Sequence, residues 1–145
     1  DDMVRSLLSP AASLVRVEGG RTYDVLEAAD LAVVASGTAT LETAVLEVPM
    51  VVLGAVSRLS YEITIRMVKI DRYSLPNVIA KKDVVPELVQ NEMTPENLVR
   101  EISAMLECPE RMATIKKELR SVKESLGPGG ASERAARAVC RRLWE

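Results

Sequence analysis

Ser36-Gly37-Thr38-Ala39-Thr40-Leu41-Glu42 follows directly on the apolar run Leu31-Ala32-Val33-Val34-Ala35, and the junction of the two decides how the chain is read. A short, nearly unbroken apolar run is the pattern of a strand in a parallel sheet whose two faces are covered by helices. Beyond it Leu41, Ala44, Val45 and Val48 recur at i, i+3, i+4 and i+7, the stripe of an amphipathic helix. Such a helix begins with N–H groups that have no internal partner, at the positive end of its dipole. A phosphate fits there. Ser36, Gly37 and Ala39 are small enough to let it reach the backbone. Glu42 lies one turn on from Thr38, on the same face, where it could accept hydrogen bonds from sugar hydroxyls. A plain strand-to-helix turn, with Glu42 favoured only by the dipole, fits the same residues. The lysine of a Walker loop is absent, which argues against simple NTP hydrolysis.

Outward from this junction the pattern alternates. Residues 13–17 read as a short strand ended by Gly19-Gly20, and 22–29 as a helix with Tyr23, Leu26 and Val25 facing inward. Pro49 ends the helix after the junction, and Met50-Val51-Val52-Leu53 reads as a second buried strand. The order is βαβαβ, so the expected fold class is α/β, a Rossmann-like doubly wound parallel sheet in a single domain over 1–145. Three strands make a thin sheet of that type. The chain also opens on Asp1-Asp2, and the expectation is a piece of something longer, with further strands upstream.

The middle and end are mostly helical. Leu59, Ile63, Met67 and Ile70 make one stripe; Arg58, Arg66 and Lys69 lie on the opposite face, with Arg72, Lys81 and Lys82 beyond. That basic face reads either as solvated or as a contact for anionic headgroups, at roughly 1 kcal/mol per charge. Ser74-Leu75-Pro76-Asn77 reads as a loop and Val78-Ile79-Ala80 as a short strand; Asn77 has both a donor and an acceptor to offer a polar ligand. Thr94-Pro95 is a cap followed by proline at the first helical position, with Leu98, Ile102, Met105 and Leu106 as the core face. Pro109 opens another helix carrying Met112, Ile115, Leu119, Val122 and Leu126, and Gly127-Pro128-Gly129-Gly130 stops it. A last helix over 131–144 is expected to bury Ala135, Val139 and Leu143.

Composition removes several classes of function. With 48% hydrophobic and 28% charged residues the chain is globular rather than disordered, and a net charge of −2 argues against a nucleic-acid partner. No apolar run approaches the ~18 residues that span a bilayer. Cys108 and Cys140 lie far apart without metal-type spacing, and read as free thiols in a reducing compartment. There is no histidine, so neither a histidine-based triad nor a histidine–zinc site is available within this chain. No pair of carboxylates stands out as an acid/base couple, and no catalytic residue or metal ligand is assigned.

Taken in order, the run from Ala29 to Glu42, then Pro49-Met50-Val51-Val52, Val68-Lys69, Ser74-Leu75-Pro76-Asn77 and Val85-Pro86-Glu87-Leu88-Val89-Gln90 resemble the donor-lobe core of bacterial lipid-A-disaccharide synthases. The resemblance is close over 19–90 and looser in the helical tail. It implies the C-terminal lobe of a two-lobed GT-B glycosyltransferase. The implied reaction joins UDP-2,3-diacylglucosamine to 2,3-diacylglucosamine 1-phosphate, forming lipid A disaccharide 1-phosphate and UDP without a metal or other cofactor. Ser36, Gly37, Thr38 and Ala39 would hold the diphosphate, Glu42 the ribose, and Asn77 and Gln90 would lie near the donor. The acceptor and the general base would be the business of an N-terminal lobe absent from this chain, at the cytoplasmic face of the inner membrane. Gly54 and Ala55 depart from the family, which usually has an aromatic residue and then arginine there. Also open are the donor lobe of a muropeptide transferase or UDP-sugar epimerase, and a non-catalytic α/β module.

Overall fold

The computed structural model describes residues 14–54 and 72–144. In chain order these form α1 (Thr22–Glu27), β1 (Ala32–Ala35), α2 (Thr38–Val45), β2 (Met50–Gly54), α3 (Leu75–Ala80), β3 (Glu87–Val89), a 3₁₀ turn (Gln90–Glu92), α4 (Pro95–Leu106), α5 (Pro109–Ser125) and α6 (Ala131–Trp144). The strands make one parallel sheet in the order β1-β2-β3, with Ala32 beside Met50, Ala35 beside Leu53, and Gly54 beside Val89. The fold is therefore α/β, as expected, but its strands are not all the expected ones.

Central β2 carries the core. Met50, Val51 and Val52 are all buried, so both of its faces are covered. Ala44, Val48, Val84, Val85, Leu88, Met105, Ile115 and Leu119 close around them. On β1 only Ala32 and Val34 turn inward; Val33 is 45% exposed, so that strand is covered on one face, not two. Residues 15–17 form no strand: Leu14 is 89% exposed, Val15 is exposed too, and neither has a place on the sheet, while Ser13 lies outside the described residues. The third strand is Glu87–Val89 instead. At three residues, one of them a glutamate, it is too short to show a period of two.

Three helices differ from expectation in ways that have local causes. Val78-Ile79-Ala80 is the end of α3 rather than a strand: Ser74 occupies the N-cap and Pro76 the first turn, where its fixed φ suits a helix. In α2 the inward face is Thr40, Thr43 and Ala44, while Val45 is exposed. Threonine tolerates that burial because its hydroxyl bonds back along the helix, Thr40 Oγ1 to Gly37 O at 2.7 Å and Thr43 Oγ1 to Ala39 O at 2.8 Å. In α1 only Leu26 reaches the core, and Tyr23 and Val25 are exposed.

The α4–α5 pair follows its sequence signals. Thr94 Oγ1 accepts from Asn97 N at 3.2 Å, Pro95 opens α4, and Met105, Ile115, Leu119 and Val122 are buried, though Leu106 and Leu126 at the helix ends are exposed. Gly127, at φ +76°, stops α5. Helix α6 was expected to be buried along one stripe and is not: residues 131–142 are exposed, Ala135 and Val139 included. The side chain of Leu143 lies outside the described residues, as does the helix expected over 59–70.

Candidate functional site

In a parallel α/β sheet the ligand crevice forms at the carboxyl ends of the strands. Here those ends converge. Ser36 N donates to Leu53 O at 2.7 Å, extending the β1–β2 ladder one residue past the strand. A Cβ built on Gly54 would lie 3.4 Å from Val89 Cγ2 and 3.8 Å from Ser36 Cβ, so the ends of all three strands meet around that glycine. The small residue at 54 keeps them close.

Helix α2 starts from this edge. Its N-cap is Gly37, at φ 148° and ψ −160°, a backbone state that L side chains rarely adopt. No side chain caps the helix, and the first amide bonded back within it is Thr40 N, to Gly37 O at 3.2 Å. Thr38 and Ala39 thus keep the outward-facing amides of a helix start. Ser36, Gly37, Thr38, Ala39 and Glu42 are all exposed, and apart from its chain neighbours no described residue comes within 4 Å of a Cβ built on Gly37. The end is open, positive through its dipole, and floored by backbone.

Asn77 and Gln90 lie elsewhere on the same edge. Both line a cavity of about 600 Å³ beside β3, shared with Tyr73, Glu87, Asn91 and Glu92; residues 36–42 are not in its wall. Asn77 is buried and uses its whole amide on the protein. Its Oδ1 accepts from Val84 N at 2.8 Å and Val85 N at 3.0 Å, and its Nδ2 donates to Val85 O at 2.9 Å and Glu87 Oε1 at 2.7 Å. It pins the connection between α3 and β3. Gln90, at φ 54°, turns the chain out of β3 into the 3₁₀ segment and is half-buried.

The two groups are joined through residues to which sequence reasoning gave no role. Ser36 Oγ donates to Tyr73 O at 3.1 Å, and Tyr73 N donates to Glu87 Oε2 at 2.8 Å. Ser74 N and Ser74 Oγ donate to Glu87 Oε1 at 2.8 and 2.6 Å. The available signal was Glu87 itself, an acidic residue of poor strand propensity in a segment otherwise apolar. Of the basic stripe, Arg72 pairs with Asp83 at 3.0 Å and Lys82 with Glu118 at 2.6 Å, while Lys81 is exposed. Arg58, Arg66 and Lys69 lie outside the described residues. Among the described residues no cluster of three metal-ligating side chains occurs and no helix is long and apolar enough to cross a membrane.

A parallel sheet whose carboxyl edge opens onto an uncapped, glycine-entered helix is a Rossmann-like α/β arrangement, and a helix start of this kind offers free amides and the positive end of its dipole. The family model described as lipid-A-disaccharide synthetase matches residues 5–139, and the chain belongs to that family. It is 45% identical over 135 residues to the lipid-A-disaccharide synthase of Syntrophus aciditrophicus, covering 93% of this chain and 34% of that protein. To the lipid-A-disaccharide synthase of Geobacter sulfurreducens it is 37% identical over 143 residues, 99% of this chain and 37% of the relative. The Alcanivorax borkumensis protein of the same name is 39% identical over 143 residues, 98% and 37%. The chain spans about a third of the length of these relatives.

Proposed function

We propose that this chain is the UDP-sugar-binding part of a glycosyltransferase of lipid A assembly. The whole enzyme would join UDP-2,3-diacylglucosamine to 2,3-diacylglucosamine 1-phosphate, releasing UDP and lipid A disaccharide 1-phosphate. The observation that carries the reading is the start of α2: an uncapped helix with Gly37 in a glycine-only conformation, open to solvent at the carboxyl edge of the sheet, in a chain of this family. The amides of Thr38 and Ala39, with Ser36 and Gly37 beside them, would take the diphosphate, and Glu42 the ribose hydroxyls. As the glycosidic bond to the donor breaks, charge grows on the departing diphosphate, and fixed N–H dipoles stabilise it without reorganising. Gln90, in the wall of the neighbouring cavity, is proposed to contact the donor. Asn77 would act on it indirectly, by holding the residues that form that wall.

In this reading the chain is the C-terminal lobe of a GT-B enzyme. Acceptor groups and the general base come from a separate N-terminal lobe, and the enzyme works at the cytoplasmic face of the inner membrane because both substrates carry acyl chains. The test is a titration of the 145-residue chain with UDP, followed by calorimetry and by the amide resonances of residues 37–42. Saturable binding with shifts confined to those residues and their neighbours is expected. No heat and no shifts would leave an α/β module without a nucleotide site. Turnover of acylated but not non-acylated UDP-glucosamine by the full-length enzyme separates this reading from other GT-B donor lobes.

A further inference from the structure

Ser36 is the only side chain of the proposed diphosphate loop that the described residues hold by a hydrogen bond to a distant part of the chain, and its partner is a peptide oxygen 37 residues on. That peptide is itself fixed. Tyr73 N and Ser74 N each donate to a different oxygen of the Glu87 carboxylate, at 2.8 Å apiece, so the carboxylate grips two successive amides like a fork. Ser74 Oγ at 2.6 Å and Asn77 Nδ2 at 2.7 Å fill the rest of Oε1. Ser74 and Asn77 are buried, and Asn77 in turn holds Val84 and Val85. A carboxylate accepting four donors is acceptor-only at every contact, and hydrogen bonds to an ionised acceptor are the stronger kind. Its position, on the strand next to the one that pairs with β1, makes it the anchor between the sheet edge and the mouth of α2.

We propose that Glu87 is a positioning residue for the nucleotide site: through the Tyr73 peptide it fixes Ser36, and so the orientation of the amides that follow. The proposal rests on the donor-site reading of α2 and deepens it. Glu87 touches no ligand in this account. It presets the loop so that binding need not order it.

The substitution Glu87→Gln keeps size and burial but turns one acceptor oxygen into a donor facing N–H or O–H groups. In the ligand-free 145-residue chain, the amide resonances of residues 36–38 are expected to move. UDP affinity should fall about tenfold, the scale of coupling between contacting residues. Ser36→Ala should cost a similar factor, and the double variant little more than either single one. Glu133→Gln on exposed α6 serves as the control and should change none of these. Unmoved resonances at 36–38 in folded Glu87→Gln, or fully additive losses in the double variant, would overturn the proposal. If Glu87→Gln does not fold, Ser36→Ala decides from the other end: the Tyr73 amide must shift, and an unshifted one refutes the tether. If wild type fails to bind UDP while the 36–38 resonances still respond to Glu87→Gln, the tether stands and the donor-site reading falls.

Discussion

Gly37 combines two properties that separate its roles. Apart from its chain neighbours no described residue comes within 4 Å of where its Cβ would be, so a methyl group meets no obstacle among them, yet its backbone sits at φ 148°, where an L residue is strained. Gly37→Ala should therefore destabilise the chain by about 1–3 kcal/mol through backbone strain alone. It should weaken UDP binding further, since relief of that strain re-aims the Thr38 and Ala39 amides. Denaturant unfolding and calorimetry measure the two losses separately. Glu47 makes the complementary case. It ends α2 in a Schellman arrangement, with Glu47 N bonded to Ala44 O and Val48 N to Thr43 O, but stands where glycine is usual, at φ 59°. Its carboxylate reaches across to α5 instead, accepting from Arg120 at 2.9 Å and Lys123 at 3.0 Å. The left-handed conformation costs a non-glycine residue about 1–2 kcal/mol, and a solvent-screened pair returns less than that. Glu47→Gly is thus expected to be at least as stable as wild type and Glu47→Ala less stable, by thermal unfolding.

The same pair gives α2 and α5 a pH-dependent link. The hydrogen bond from Arg120, and after it that from Lys123, holds the Glu47 carboxyl below its ordinary value of 4.5. A carboxyl depressed in the folded state contributes stability that is complete above 4.5 and is lost as pH falls through the lowered value. Glu47→Gln should lower stability near neutrality, where the pair is fully formed, and flatten the acid side of the stability profile in that window. At this scale the sequence was legible where signals were long or chemically specific. The Thr94-Pro95 start of α4, the buried stripe of α5 and the Gly127 stop all stand as read. Short elements were not legible. Three residues of β3 and six of α3 carry less periodicity than their packing imposes, and the buried threonines of α2 shift its inward face, keeping Ala44 and Val48 in the core but turning Val45 out. The strand–helix joint at Ser36 to Thr38 was legible because an apolar run, then small residues, then a helical stripe follow one another in order. The Glu87 anchor was not, because its partners are main-chain groups, which no sequence spells.

For the molecule as a whole, stability concentrates where the sheet meets the α4–α5 pair. Leu119 has no exposed surface and packs in the same cluster as β2 and Met105. Leu119→Ala should cost about 2–5 kcal/mol, lost transfer plus cavity. At temperatures where the variant remains folded, UDP affinity should be unchanged, because no residue of α5 lines the cavity beside β3 or the start of α2. Affinity lost in parallel with stability would mean that core and site are coupled.

Helix α6 has a practical consequence of another kind. Its described side chains are exposed from end to end, and the single tryptophan of the chain, Trp144, is its last residue. The sheet and the α4–α5 pair contain no tryptophan, and the chain has no phenylalanine at all. Fluorescence excited selectively at tryptophan, passing over the three tyrosines, therefore watches a 14-residue helix of a length that is marginal without packing, rather than the core. Far-ultraviolet dichroism, which sums over every helix, should report a later and sharper transition. Two probes on one sample would then give two midpoints, and a mismatch that elsewhere signals a folding intermediate would here mark only where the fluorophore sits.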